Sequence, residues 1–298
     1  MTSERATREQ GMTSRTIRHP GPASPERMAA VAGAAVPLHF TLEPGQAVDA
    51  AIAKGFAESG CAGGFVELKG GRCEPFQFVM PAASPDALHA AWYSETFAPA
   101  GPVGIERACA IVGWRDGKPF IHCHGIWNSR DGRQMGHMLG PASIVAEPIV
   151  VTGIASRTAT FKALPDTETN FTLFEPVSIS EDMARAADPR VLLAKVRPNE
   201  DICLAIEAIC SRNGIRTANV YGIGSLNEVR FTNGTRVETH ATEVSIHTGR
   251  VSHVEGSPRA TLQIDVVDMK GDIFEGEIVR GDNPVCVTFE LMIEPTST

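Results

Sequence analysis

"LEPGQAVDAAIAKGFAESGCAGGFVELKGG", residues 42–71, lines up without a gap against "VRPNEDICLAIEAICSRNGIRTANVYGIGS", residues 196–225, at a constant offset of 154. Pro44 meets Pro198, Gly60 meets Gly214, and Gly70 meets Gly224. Apolar Val48, Ile52 and Phe56 recur at i, i+4 and i+8, as do Ile202, Ile206 and Cys210. That spacing draws one apolar stripe along a helix. Gly60 and Gly214 stand where a helix ends in a left-handed residue. Each segment therefore reads as strand end, turn, amphipathic helix, glycine stop and strand.

The later parts of the two segments match more loosely. "FIHCHGIWNSRDGRQMGHMLGPASIVAEPIVV" (120–151) resembles "LQIDVVDMKGDIFEGEIVRGDNPVCVTFELMI" (262–293). Both give a strand, a glycine-containing turn, a strand, a Gly/Pro break and a final β-branched strand. The expected fold class is α/β of the α+β kind: two tandem copies of a compact domain, each an antiparallel sheet with a packed helix. The expected domains are 38–177 and 190–296, joined by a linker helix over 178–189. Residues 1–37 have no sustained apolar period and read as a disordered tail, with Met12 or Met28 as alternative starts. From Gly70 to His122 is 52 residues but from Gly224 to Gln263 is 39. The first copy thus carries about thirteen extra residues within "EPFQFVMPAASPDALHAAWYSETFAPAGP" (74–102), an insertion suited to capping a pocket.

The whole chain has 298 residues, 43% hydrophobic and 21% charged, which is ample for a buried core. The net charge of -8, with no basic patch in the body of the chain, disfavours nucleic acid as a non-specific partner. The seven cysteines are odd in number and contain no C-x-x-C pair, so a reducing cytoplasmic location is expected. "MAAVAGAAV" (28–36) is too short to span a membrane, and no membrane partner is expected.

One stretch carries chemistry. In "IHCHGIWNSRDGRQMGHML" (121–139), His122 and His124 lie two apart and share one face of a strand, while Cys123 points away. If "NSRDGR" (128–133) is the connection, Trp127 pairs with Gln134 and His124 falls opposite His137. Three imidazoles then converge, and Gly136 removes a side chain where the strands approach. Three neutral nitrogens with a vacant fourth position suit a catalytic zinc or another divalent transition metal. The second copy has Gln263, Asp265 and Glu277 near these places, so one metal site per chain is expected.

With these residues quoted, the chain resembles the plant- and prokaryote-conserved (PPC, or PCC) domain, present twice. The resemblance rests on "EPGQAVDAAI" and "RPNEDICLAI", on "GIGSLNEV" (222–229) and on "HCHGIW...DGRQMGHML". It covers nearly all of the chain after the tail. It implies an α/β domain that assembles as a homotrimer, with His122, His124 and His137 matching the histidines that hold zinc in some prokaryotic members. Plant members bind AT-rich DNA through an Arg-Gly-Arg-Pro hook; this sequence contains no such tetrapeptide, so DNA is possible as a partner but not favoured.

Glu147 and Glu106 are the candidate general bases beside the metal, although Glu290 occupies the place of Glu147 in the second copy. Asp131 precedes Gly132 and serves the turn. His89, Trp92 and Tyr93, in the insertion, are the candidate contacts to a small-molecule substrate. "KGG" (69–71) and "GIGS" (222–225) lack a full nucleotide fingerprint and read as tight turns. The expectation is a metal-dependent hydrolase or lyase acting on a small molecule. The alternative is a DNA-associated or regulatory oligomeric scaffold in which the metal is structural.

Overall fold

The computed structural model describes residues 15–180 and 190–296. The linker helix expected over 178–189 lies almost wholly outside the described residues. Helix α1 (Val48–Glu58) and helix α2 (Ile202–Arg212) stand at the offset of 154 read from the sequence. Gly60 and Gly214, just after them, have φ of 65° and 67°. A side chain is strained there, which is why glycine ends both helices. The Asp201 carboxylate accepts from the Leu204 amide and caps α2; α1 begins at Ala47 with no side-chain cap.

Each half is an antiparallel sheet. In the first, strands Gly63–Lys69, Val103–Arg115, Lys118–Ser129 and Gly132–Met138 run as neighbours, with Ile149–Ser156 on the other side of Gly63–Lys69. In the second, Ala218–Leu226, Glu243–Val254, Ser257–Val267 and Ile273–Glu277 run the same way, with Val285–Pro295 beside Ala218–Leu226. The hairpins turn at Asp116-Gly117 and Glu255-Gly256, all at positive φ. A hairpin Ala159–Pro165/Thr172–Ser178 is added to the first sheet, touching Val103–Arg115 in parallel at Lys162 and Trp114.

Strand alternation sorts the buried residues into layers. Leu192, Ala194 and Val196 share a core with Ile202, Ile206 and Ile209 of α2, whereas Val191 and Leu193 point the other way. They meet Phe65, Ile111 and Ile154 of the first sheet, with Phe65 stacked on Tyr221 at 5.2 Å between ring centroids. α1 packs on the far face of the first sheet, against Ala110, Ile121 and Cys123. The order is therefore helix, sheet, sheet, helix, with the two sheets back to back.

The expected disordered tail over 1–37 is corrected for residues 15–37. Met28–Leu42 is one long strand serving both sheets: Met28–Ala34 pairs with Arg190–Val196, and Ala35–Leu42 pairs with Ile149–Ser156. Its small residues hid it, because they carry no apolar period, yet the crossing requires them. A Cβ on Gly33 would lie 2.2 Å from Ser156 Oγ and 3.0 Å from Ala159 Cβ. Residues before the strand are docked as well. Ile17 exchanges backbone bonds with the Asn199 side chain, and His19 Nε2 sits 2.8 Å from the Cys286 carbonyl.

Arg27 donates to Glu168 at 2.7 Å, and this pair opens onto a buried ion cluster. Asp166 accepts from Arg197 at 2.5 Å and faces Lys195 Nζ at 3.6 Å, and Lys195 is also paired with Glu175. Lys195 and Asp166 are almost wholly buried. Burial opposes the Asp166 charge, but the Arg197 bond and the Lys195 charge outweigh it and hold the carboxyl at about 2. Asp166→Ala is expected to cost about 3 kcal/mol in a denaturant titration at pH 7, because it leaves buried cations under-compensated. Since the folded pKa is depressed, that contribution is complete above about pH 4 and lost as pH falls through about 2. The gap between wild type and variant should close over that window.

Candidate metal centre

The hairpin Lys118–Ser129/Gly132–Met138 has the register that its turn spacing predicts: Trp127 faces Gln134 and His124 faces His137. Gly136 is needed at the next pair, since a Cβ there would lie 2.4 Å from the Val79 carbonyl oxygen. That carbonyl belongs to Phe78–Val79, the first strand of the insertion, which pairs with His137 and Met138. Ile121 and Cys123 enter the core beneath α1. By alternation His122 and His124 face the other way, across the interface and toward the second sheet.

There the second half completes the site. His124 is fully buried; its Nδ1 lies 2.9 Å from the Val244 carbonyl oxygen and its Nε2 lies 2.6 Å from Glu243 Oε2. His122 Nδ1 lies 2.9 Å from Glu290 Oε2, and His122 Nε2 lies 2.9 Å from His124 Nε2. One ligand atom from each of His122, His124, His137 and Glu243 falls within 4.8 Å of the others. His137 Nδ1 is buried without a partner.

The donor chemistry explains what this arrangement wants. A carbonyl oxygen only accepts, so His124 Nδ1 must carry the hydrogen, and a neutral ring then presents a bare lone pair at Nε2. That lone pair points at a carboxylate and at another imidazole nitrogen. Such a meeting is repulsive unless a proton or a cation stands within it. Protonation is the answer available to the chain by itself. Burial alone would lower the His124 pKa, yet Glu243, aided by the Val244 bond, raises it above the ordinary value. His137 responds oppositely: burial, with His122 and His124 adding to it, pushes its pKa well below the ordinary value. A divalent cation satisfies all these groups at once. The outer nitrogens of His122 and His124 are already tied to a carboxylate and a carbonyl, as the supporting bonds of metal-binding imidazoles usually are.

The cluster opens onto a cavity of about 600 Å³, with His122, His137, Glu243 and Glu290 in its lining. The insertion supplies another wall. Pro81–Ala82 pairs with Trp92–Tyr93, and the Tyr93 ring lies 5.2 Å from that of His137. His89 packs on Trp92 at 4.3 Å between centroids, and all three of His89, Trp92 and Tyr93 line the cavity.

Both carboxylates expected beside the metal are elsewhere. Glu147 is exposed on the short strand Val145–Glu147 and faces Arg72 Nε at 3.6 Å, away from the cavity lining. Glu106 binds Arg133 and Arg107 in a partly exposed network that joins the halves through Asp265 and Glu275. The Arg133 bond, working against burial, holds Glu106 at about 2, so it is a permanently charged ion-pair partner rather than a base. The carboxylates at the histidines are Glu243 and Glu290. Glu290 had a sequence signal, a charge inside the apolar strand "VCVTFELMIEP". Glu243 had none, because only the packing of the second sheet brings it there. The alignment of the two hairpins also shifts: counted from the turn glycines Gly117 and Gly256, His122 and His124 correspond to Thr261 and Gln263.

Comparison with known proteins matches one part of the chain to a family model. Residues 183–297 match the model of the Plants and Prokaryotes Conserved (PCC) domain. No curated protein matches. Among solved structures, a Pyrococcus horikoshii plant- and prokaryote-conserved protein aligns at 14% identity and a TM-score of 0.39, covering 50% of this chain and 96% of its own. A metal-containing protein of Archaeoglobus fulgidus aligns at 18% and 0.37, covering 47% and 93%. A Bacteroides thetaiotaomicron protein described as a "putative dna binding protein" aligns at 18% and 0.31, covering 36% and 80%.

Proposed function

We propose that this chain, which carries a PCC domain over residues 183–297, holds one divalent transition metal, zinc first among them, at the base of a small-molecule cavity. The observation that carries the reading is the convergence of His122, His124, His137 and Glu243 within 4.8 Å, at a lone-pair meeting that only a proton or a cation relieves. His122, His124 and His137 are the ligands; Glu290 and the Val244 carbonyl hold two of the rings in their tautomers and directions. A zinc ion so bound supplies a polarised water or a polarised substrate oxygen. Glu243 Oε2 is placed to take a proton at that point. Hydrolysis or lyase-type cleavage of a small molecule is the chemistry this set suits, with Tyr93, Trp92 and His89 as substrate contacts.

Glu243 also favours a second reading. As a fourth protein ligand it would close the set, and closed sets are the structural kind. The metal would then lock the two sheets together in a cytoplasmic regulatory or DNA-associated scaffold, the setting in which the homotrimer implied by the resemblance belongs.

Elemental analysis of purified protein is expected to find one metal per chain, lost in His124→Ala. Protein that holds no metal, and whose melting temperature is unmoved by zinc, would rule out both readings. Glu290→Gln is expected to weaken metal binding about 10- to 100-fold in a chelator competition, because it removes the acceptor behind His122. Glu243→Gln separates the two readings. With an open set the variant keeps its metal and its zinc-dependent rise in melting temperature while any turnover is lost; with a closed set both metal affinity and that rise fall together.

A further inference from the structure

Phe120, His122 and His124 stand at alternate positions of one strand and therefore line one face in series. Burial grades along that line. His124 is fully buried, Phe120 is partly buried, and at the hairpin end the Arg115 side chain is 47% exposed. The Arg115 guanidinium carbon lies 5.4 Å from the centre of the Phe120 ring, and Phe120 packs on Phe174 at 5.6 Å. Among the described residues, Arg115 is the only lysine or arginine in the cavity lining. Its ion-pair partner among the described residues, Asp116, is 3.9 Å away and 93% exposed, so the guanidinium is nearly unspent.

The cavity is thus polarised. Its floor carries imidazoles with Glu243 and Glu290, its middle carries phenylalanine rings, and its outer end carries one cation. With a divalent metal on the imidazoles the two floor carboxylates are offset, so the unbalanced charge in the cavity is the guanidinium at the outer end, which takes a carboxylate on two parallel bonds. From His122 to Phe120 the strand advances roughly 7 Å, and the guanidinium adds a further step, so the reach is on the order of 10 Å.

Resting on the metal reading above, we propose that the cavity takes an elongated carboxylic acid with an apolar body. Its carboxylate lies on Arg115, its chain or ring lies against Phe120 and Phe174, and its reacting group lies at the histidines. Arg115 is the residue that sets the ligand's charge and direction.

The test uses two hydroxamates of equal length with the zinc-loaded full chain: suberic acid monohydroxamate, which ends in a carboxylate, and octanohydroxamic acid, which ends in a methyl. Each is titrated calorimetrically into wild type and into Arg115→Met, whose exposed site leaves folding intact. The carboxylate probe is expected to bind wild type about tenfold tighter than the methyl probe. Arg115→Met should erase that advantage and leave octanohydroxamic acid unchanged. Equal binding of the two probes by wild type, or an advantage that survives in Arg115→Met, overturns the role of Arg115 and leaves the metal centre standing. Binding of neither probe overturns the small-molecule cavity and this ligand class together, and metal content measured on the same sample shows whether the metal centre itself fails.

Discussion

The structure turns on a meeting of lone pairs between two sheets. His124 Nε2 has a carboxylate oxygen on one side and an imidazole nitrogen on the other, and its own Nδ1 is committed to a carbonyl. Buried polar groups of one sign are costly unless something of the other sign comes with them. The fold does not avoid that cost; it concentrates it where the two sheets press together, with His124 fully buried and His122, His137 and Glu243 at the edge of the cavity. A group with such an environment on every side is a demand for a cation, a proton being the minimum.

The duplication makes sense in these terms. One unit supplies the imidazoles and the other supplies the acidic and carbonyl groups that face them. Had the second unit kept histidines where Thr261 and Gln263 now stand, the same back-to-back packing would have offered a further imidazole set with its own requirement for acceptors. Instead its hairpin face is given over to Asp265 and Glu275, which bind Arg107 and help fix the first hairpin from outside. The two copies have divided one task between a ligand face and a support face. The strand Met28–Leu42, paired with both sheets, ties their relative placement to the backbone.

The sequence made the repeat, both helices, the turn glycines and the His124–His137 register legible, because each depends on local spacing: 3.6 residues for a helix face, two for a strand face, a fixed count for a turn. It concealed whatever depends on the two sheets meeting. Glu290 stands out as a charge in an apolar strand, but nothing local says that a residue of one copy lies against the histidines of the other. Residues 15–37 looked structureless because Ala and Gly carry no hydrophobic period. Those residues are small for the opposite reason, a crossing between sheets too tight for a Cβ at Gly33.

Catalytic and structural uses of a metal at this site would be less opposed than the coordination rule suggests. Glu243 belongs to the second sheet while the three histidines belong to the first, so a metal held by all four would draw its ligands from both sheets. The cavity opens beside that same carboxylate, and its outer wall is the insertion, held by short two-residue strands. On the metal reading, a ligand entering there would compete with Glu243 for the metal. On that reading, the residue that would close the ligand set is thus also one that lines the cavity beside the histidines.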